Sequence, residues 1–238
     1  MSNETPDRPV SEAATPWSPG AGGSTRFGVL GTGPVGQTLG TKLVALGHEV
    51  CIGSREAGSP DAAAWAATAG ARARHGAFRD AAAFGEVVIN ATKGTASLEA
   101  LEATGAENLA GKVLIDVANS MDFTTGVLKY ANDDSLAERI QRAYPEARVV
   151  KTLNTMNMSM FFGQASHPGP HNVFVAGNDA AAKAQVTGLL EAFGWERARI
   201  IDLGDITAAR GAEGYMLLWY RLIGSLGTRE LNIGVHAW

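Results

Sequence analysis

Short apolar runs alternate with amphipathic or alanine-rich stretches along most of the chain. Phe27 to Leu30, Glu49 to Ile52, Glu86 to Asn90, Lys112 to Val117, Arg148 to Leu153, Asn172 to Val175 and Ile200 to Leu203 read as strands. Runs this short and this apolar suit strands buried in a sheet. Between them the pattern predicts helices ending near Leu46, starting at Ser59-Pro60-Asp61 and running to Ala69, around Asp80 to Phe84, and over Ala96 to Ala103, Ser135 to Tyr144 and Asp179 to Phe193. Gly47, Gly70 and Pro145 stop three of them, as residues that end helices do. Arg72, Arg74 and His75 punctuate a short strand expected near a sheet edge. Strands alternating with helices at this spacing imply an α/β fold with a doubly wound, mostly parallel sheet.

Two stretches leave this rhythm. From Met158 to Pro170, apolar Met158, Met160, Phe161 and Phe162 are followed by Gly163 and His167-Pro168-Gly169-Pro170, which oppose a long helix. Such a segment forms either one wall of a pocket for a flat ring or a loop packed on the core. From Tyr215 to Ile223 the chain is apolar around most of a helix, which predicts burial on all sides, inside the subunit or against a second copy. A homodimer contact is the expectation here, with Leu231 to Val235 as a closing strand.

Composition narrows the classes. The chain has 238 residues, a formal charge of −4 and 18% charged residues, so no basic footprint for nucleic acid is present. No apolar run approaches the roughly 18–20 residues that span a membrane. One cysteine, Cys51, excludes an internal disulfide and fits a cytoplasmic protein; inside a strand it reads as a small core residue. Residues 1–25, rich in Pro and Gly with almost no aliphatics, read as a disordered extension. Trp17 is the one residue there that could dock on the body. Asn3-Glu4-Thr5 is a chance sequon in a cytosolic protein.

The candidate chemistry begins at the first strand. Gly31-Thr32-Gly33-Pro34-Val35-Gly36 follows it and opens a helix, the pattern in which glycines turn sharply, admit a pyrophosphate and pack helix on strand. Helix N-terminal N–H groups and the dipole then hold the phosphates. This is a Rossmann-type dinucleotide site. An NAD site places an acid at the end of the second strand, but this chain has Gly53-Ser54-Arg55. A hydroxyl and a guanidinium suit the 2′-phosphate of NADP, although Glu56 could draw Arg55 aside.

Polar loops stand at the carboxyl ends of later strands, where ligands sit in open α/β sheets. They supply Asn90, Ala91, Thr92 and Lys93, then Ala118 and Asn119, then Asn154, Thr155, Met156 and Asn157. No catalytic elbow, nucleophile–base pair or metal-spaced cluster accompanies them, and His167 and His171 are separated by prolines that remove a shared helix. No catalytic residue and no metal are therefore assigned. Hydride transfer between two bound cofactors needs alignment more than a protein acid.

GTGPVGQTLGTKLVALGHEV with GSR, VVINATKG, KVLIDVANSMDF, ARVVKTLNTMN, VFVAGND and GDITAARGAEGY resemble, in order over about residues 26–235, the coenzyme F420-dependent NADP oxidoreductase family. The resemblance implies that Thr32, Gly33, Pro34 and Val35 hold the pyrophosphate, and that Ser54 and Arg55 take the 2′-phosphate. Asn90 to Lys93 would border the ribose and nicotinamide, and Asn154 to Asn157 the deazaflavin of F420, with help from the carboxyl-terminal segment. Archaeal members carry a His-Thr-Ile-Pro-like run at Asn154–Asn157, and a more apolar loop at Lys93.

The expected function is hydride transfer between NADP(H) and F420 by a homodimer acting on small-molecule cofactors. An NADPH-dependent flavin, ferric, carbonyl or imine reductase and a non-catalytic NADP sensor are the alternatives. The expected division is an extension over 1–25, an NADP-binding domain over 26–203, and a segment over 204–238 that completes the second-cofactor pocket.

Overall fold

Alternate residues of the central strands divide the core into two layers. In β1 (Arg26–Leu30), β2 (Glu49–Ser54), β4 (Val87–Asn90) and β5 (Val113–Asp116), one face carries Phe27, Val29, Val50, Ile52, Val87, Ile89, Val113 and Ile115. The other carries Leu30, Cys51, Val88 and Leu114. Helices α1 (Pro34–Ala45), α2 (Pro60–Ala69) and α6 (Ala180–Phe193) cover the first face through Leu39, Leu43, Trp65, Val186 and Phe193. Helices α3 (Phe78–Phe84), α4 (Ser97–Glu102) and α5 (Leu136–Ala143) cover the second through Phe78, Leu101 and Ile140. Burial on both faces explains why these strands read as continuous apolar runs.

This computed structural model describes residues 23–236. Of the extension expected over 1–25, residues 1–22, with Trp17 and the sequon, lie outside the described residues, whereas Thr25 is buried and accepts from the Glu49 N–H, so the body begins there and not at Arg26. The sheet has eight strands, adding β3 (Ala73–Ala77), β8 (Arg148–Thr152), β9 (Val173–Ala176) and β10 (Ile200–Asp202), in the order β10-β9-β8-β5-β4-β1-β2-β3. β3 is at the edge, as its charges predict. All pairs are parallel except β8 with β9. The irregular segment before β9 is not a crossover helix, so the chain enters β9 reversed. α6 then returns it parallel to β10. The strand order reverses between β1 and β4, which opens a crevice at their carboxyl ends.

Local chemistry fixes the helix ends. Pro60 starts α2 after Ser59, and Gly70, at φ +104, ends it. Ser135, not Asp134, caps α5: its Oγ accepts from the Glu138 N–H and donates to the Glu138 carboxylate at 2.8 Å. Burial pushes the Glu138 carboxyl up, but hydrogen bonds from Arg210 and Ser135 outweigh it and hold the group below its ordinary value.

Near the carboxyl terminus the subunit alone covers only part of the Tyr215–Ile223 run, and the expected closing strand is corrected. The last helix, α7 (Ala209–Leu226), is buried on one side only. Met216 and Trp219 pack on Met121 and Leu128, whereas Leu217 and Leu218 are 45% and 56% exposed. Leu231 to Val235 forms no strand. The Asn172 N–H donates to the Ile233 carbonyl, but side chains replace the rest of a ladder: Asn232 Nδ2 donates to the Asn172 carbonyl and Asn172 Oδ1 accepts from the Val235 N–H. No helix among the described residues is long and apolar enough to cross a membrane.

Candidate functional site

The glycine loop has the geometry its sequence requires. Gly31 adopts φ +116, a left-handed conformation that side chains resist. Its N–H donates to the Gly53 carbonyl at 2.8 Å, tying the loop to the end of β2. Gly36 lies so close to the loop that a Cβ would stand 2.0 Å from the Gly31 carbonyl oxygen. Around Gly33, in contrast, a Cβ would meet nothing within 4 Å. Space for a ligand therefore exists at the second glycine and not at the other two.

Gly33, Pro34 and Val35 form one wall of a pocket of about 480 Å³ at the carboxyl end of the sheet. Ala91, Thr92 and Lys93 from the end of β4, and Ala118 and Asn119 from the end of β5, form the next wall. Asn154, Met156 and Asn157 follow β8, with Met158 and Phe161 beyond them. Both halves of the ambiguous segment after β8 are thus realised: Phe161 packs into the core and also faces the pocket. The pocket closes against Met216, Trp219, Tyr220 and Ile223 of α7, with Arg229 at its rim.

Other predicted residues stand outside this pocket. Ser54 is buried at the end of β2 and donates to the Glu56 carbonyl, while Arg55 is exposed and makes no ion pair among the described residues. Glu56 does not draw it aside. Thr32 gives its carbonyl to Gln37 Nε2. Asn90 is fully buried beneath the wall: Nδ2 donates to Asp116 Oδ1 at 2.8 Å, and Oδ1 accepts from the Thr92 hydroxyl at 2.6 Å. Thr155 is buried with its hydroxyl unpartnered.

A sequence model of the family described as NADP oxidoreductase, coenzyme F420-dependent, matches residues 26–120. A solved structure from Arthrobacter sp. FB24, described as a candidate F420-dependent NADP-reductase, is 49% identical with a TM-score of 0.83, over 90% of this chain and 100% of that one. The chain belongs to the F420-dependent NADP oxidoreductase family. The rat (Rattus norvegicus) metalloreductase STEAP3 is 28% identical over 194 residues, which is 81% of this chain. This chain spans only 36% of that curated relative's length. A reductive aminase from Aspergillus terreus in complex with NADPH shares the fold, with 21% identity and a TM-score of 0.60 over 86% of this chain and 62% of its own. The protein is an NADP-dependent oxidoreductase.

Sequence reasoning missed the charged cluster under the pocket of this family member. Lys151 is 1% exposed, with Nζ 2.8 Å from Asp116 Oδ2 and 3.0 Å from Glu213 Oε1. Burial opposes its charge, but Asp116 and Glu213 together hold the ammonium above the ordinary lysine value. A signal was present: Asp116 and Lys151 are register partners on adjacent parallel strands, each a charge following consecutive apolar residues. Phe123, which reaches the pocket from a hairpin of β6 (Met121–Asp122) and β7 (Val127–Leu128), was also missed. So were Trp219, Tyr220 and Arg229 as pocket residues.

Asn119 and Asn154 lock the ends of β5 and β8 together. Asn119 Nδ2 donates to the Asn154 carbonyl at 2.7 Å, and Asn154 Nδ2 donates to Asn119 Oδ1 at 3.0 Å and to the Ala212 carbonyl at 3.0 Å. Leu153, at φ +58, turns the chain into this arrangement. A left-handed leucine costs about 1–3 kcal/mol, and here the strain falls at the pocket wall. No group of three or more His, Cys, Asp or Glu able to hold a metal occurs among the described residues.

Proposed function

We propose that the protein transfers a hydride between NADP(H) and the deazaflavin coenzyme F420. The observation that carries this reading is the pocket itself. It runs from the open space at Gly33 to an apolar wall of Met158, Phe161, Met216 and Trp219, and no carboxylate or histidine lines it. Such walls suit two flat rings held face to face, a reaction that depends on alignment. When bound, the two cofactors supply the hydride donor and the hydride acceptor.

In this reading Thr32 to Val35 take the pyrophosphate at the N-terminus of α1, and Ser54 and Arg55 take the 2′-phosphate. Ala91, Thr92, Lys93 and Ala118 border the ribose and nicotinamide, with Asn90 holding Thr92 from below. Asn119, Asn154, Met156 and Asn157 flank the second ring, with Thr155 buried outside the pocket. Residues 204–238 complete that half, and Lys93 and Arg229 at the rim favour an acceptor with an anionic tail. Purified protein mixed with NADPH and oxidised F420 should bleach the visible absorbance of the deazaflavin. No bleaching across a range of pH would sink the assignment. The similarity to a metalloreductase favours ferric iron as the second candidate acceptor, and ferric turnover without F420 turnover would select it.

Arg55→Ala tests the nucleotide. A charge-assisted hydrogen bond is worth about 1.5–3 kcal/mol, so the Michaelis constant for NADPH should rise about 10- to 100-fold. The constant for NADH should hardly change, and equal effects on both would remove the NADP assignment.

The protein is also inferred to work as a homodimer. Leu217, Leu218 and Leu226 leave exposed apolar surface on α7, the last of them 62% exposed. A second copy would cover it, and light scattering that reports a monomer at micromolar concentration would count against this.

A further inference from the structure

The following inference rests on the reading of two rings in one pocket. Lys151 has three donors. Two go to Asp116 and Glu213, and the third goes to the backbone carbonyl of Ala118. That carbonyl belongs to the peptide joining Ala118 to Asn119, and both residues line the pocket. No cis peptide occurs among the described residues, so the carbonyl and the Asn119 N–H point in opposite directions. The carbonyl points down to the buried ammonium. The N–H therefore points away from the ammonium.

That N–H has no hydrogen-bond partner among the described residues. The Asn119 side chain is held by Asn154, which takes one of its two Nδ2 donors, and the backbone N–H stands beside it as a donor fixed by the peptide plane. A peptide whose oxygen accepts from a cation is polarised, and its N–H becomes a better donor, since linked hydrogen bonds strengthen one another.

We propose that Lys151 is a positioning residue: by holding the Ala118 carbonyl it orients and polarises the Ala118–Asn119 peptide, so that the Asn119 N–H binds a carbonyl oxygen of a ring in the pocket. Two rings offer that chemistry, the nicotinamide through its carboxamide and the deazaflavin through its ring carbonyls. A fixed donor at such an oxygen holds the ring in register for hydride transfer without itself exchanging a proton. It also gives a role to the lysine that lies between two buried acids. Asp116 and Glu213 hold the ammonium in place, and the peptide is what it acts on.

The test uses the full chain and three probes: 2′,5′-ADP, which lacks any ring carbonyl in this pocket, NADPH, and F420. In Lys151→Met, affinity for 2′,5′-ADP should stay within about twofold, while affinity for NADPH or for F420 should fall about tenfold or more. The ligand that weakens names the ring. In the wild-type protein, the Asn119 amide proton, followed by selective 15N-asparagine labelling, should move downfield when that same ligand is added. Unchanged affinities for all three probes would overturn the proposal, as would equal weakening of all three. If Lys151→Met fails to fold, the wild-type amide decides alone, and no shift with either ring-bearing ligand overturns the proposal. Wild-type protein that binds none of the probes would instead sink the cofactor reading itself.

Discussion

Glu213→Ala is expected to lower the melting temperature by about 10 °C, from a loss of about 3–5 kcal/mol. Glu213 is 1% exposed and serves two elements at once. Its Oε2 accepts from the Leu136 N–H at 2.9 Å and its Oε1 from the Ala137 N–H at 3.1 Å, which satisfies two of the free donors at the start of α5. The same Oε1 is 3.0 Å from Lys151 Nζ. Alanine leaves two buried N–H groups and part of an ammonium without partners, and burial makes each deficit costly. It also cuts one of the ties between α7 and the body, beside the Arg210–Glu138 pair, with Nη2 2.6 Å from Oε1, and the Asn154 bond to the Ala212 carbonyl. Glu213→Gln keeps an acceptor oxygen and should lie between alanine and wild type. Thermal unfolding followed by circular dichroism measures the series, and an alanine variant that melts with the wild type would show that Glu213 is not a structural link.

The region from Arg26 to Arg55 was legible because its rules are local. A buried strand, a glycine turn, a proline at the first helical position and a stop at Gly47 each act within a few residues, and they agree with one another. The start of α6 follows equally local chemistry, with Asp179 accepting from the Ala182 N–H. What resisted was decided by contacts far along the chain. The Tyr215–Ile223 run gives the amount of apolar surface on α7. Which part of it turns inward depends on Met121 and Leu128 of the β6–β7 hairpin, whose two-residue strands carry no period to read. The alternation of Leu231, Ile233 and Val235 suggested a strand, but Asn172 and Asn232 took the backbone's partners with their side chains.

The candidate site divides along the same line. The residues proposed for the phosphates of NADP lie in one continuous stretch, Gly31 to Arg55, and could be named one by one. The second half is assembled from the ends of β5 and β8, a hairpin and α7, so sequence supplied Asn119 and Asn154 but not the Phe123 and Trp219 that face them. The cluster of Asp116, Lys151 and Glu213 lies between these cases. Two members share a sheet register and were within reach of a pattern argument, and the third comes from another element altogether.

The glycine loop allows a prediction that separates folding from binding. Gly36→Ala and Gly33→Ala each add one methyl group, three residues apart. At Gly36 the new Cβ would stand 2.0 Å from the Gly31 carbonyl oxygen and 3.0 Å from its carbonyl carbon, both backbone atoms. Helix α1 must then move, which costs about 1–3 kcal/mol as overpacking. It also displaces Pro34 and Val35, and a shift of about 1 Å in positioning groups costs on the order of 100-fold. At Gly33 the new methyl meets nothing within 4 Å, and the backbone, at φ −74, accepts alanine. Stability should therefore change by less than about 0.5 kcal/mol, while the methyl occupies the space proposed for the pyrophosphate. NADPH affinity should fall about 10-fold or more in Gly33→Ala with melting unchanged, and both properties should fall in Gly36→Ala. If Gly33→Ala binds NADPH like wild type, the phosphates lie elsewhere, whatever the stability of the two variants.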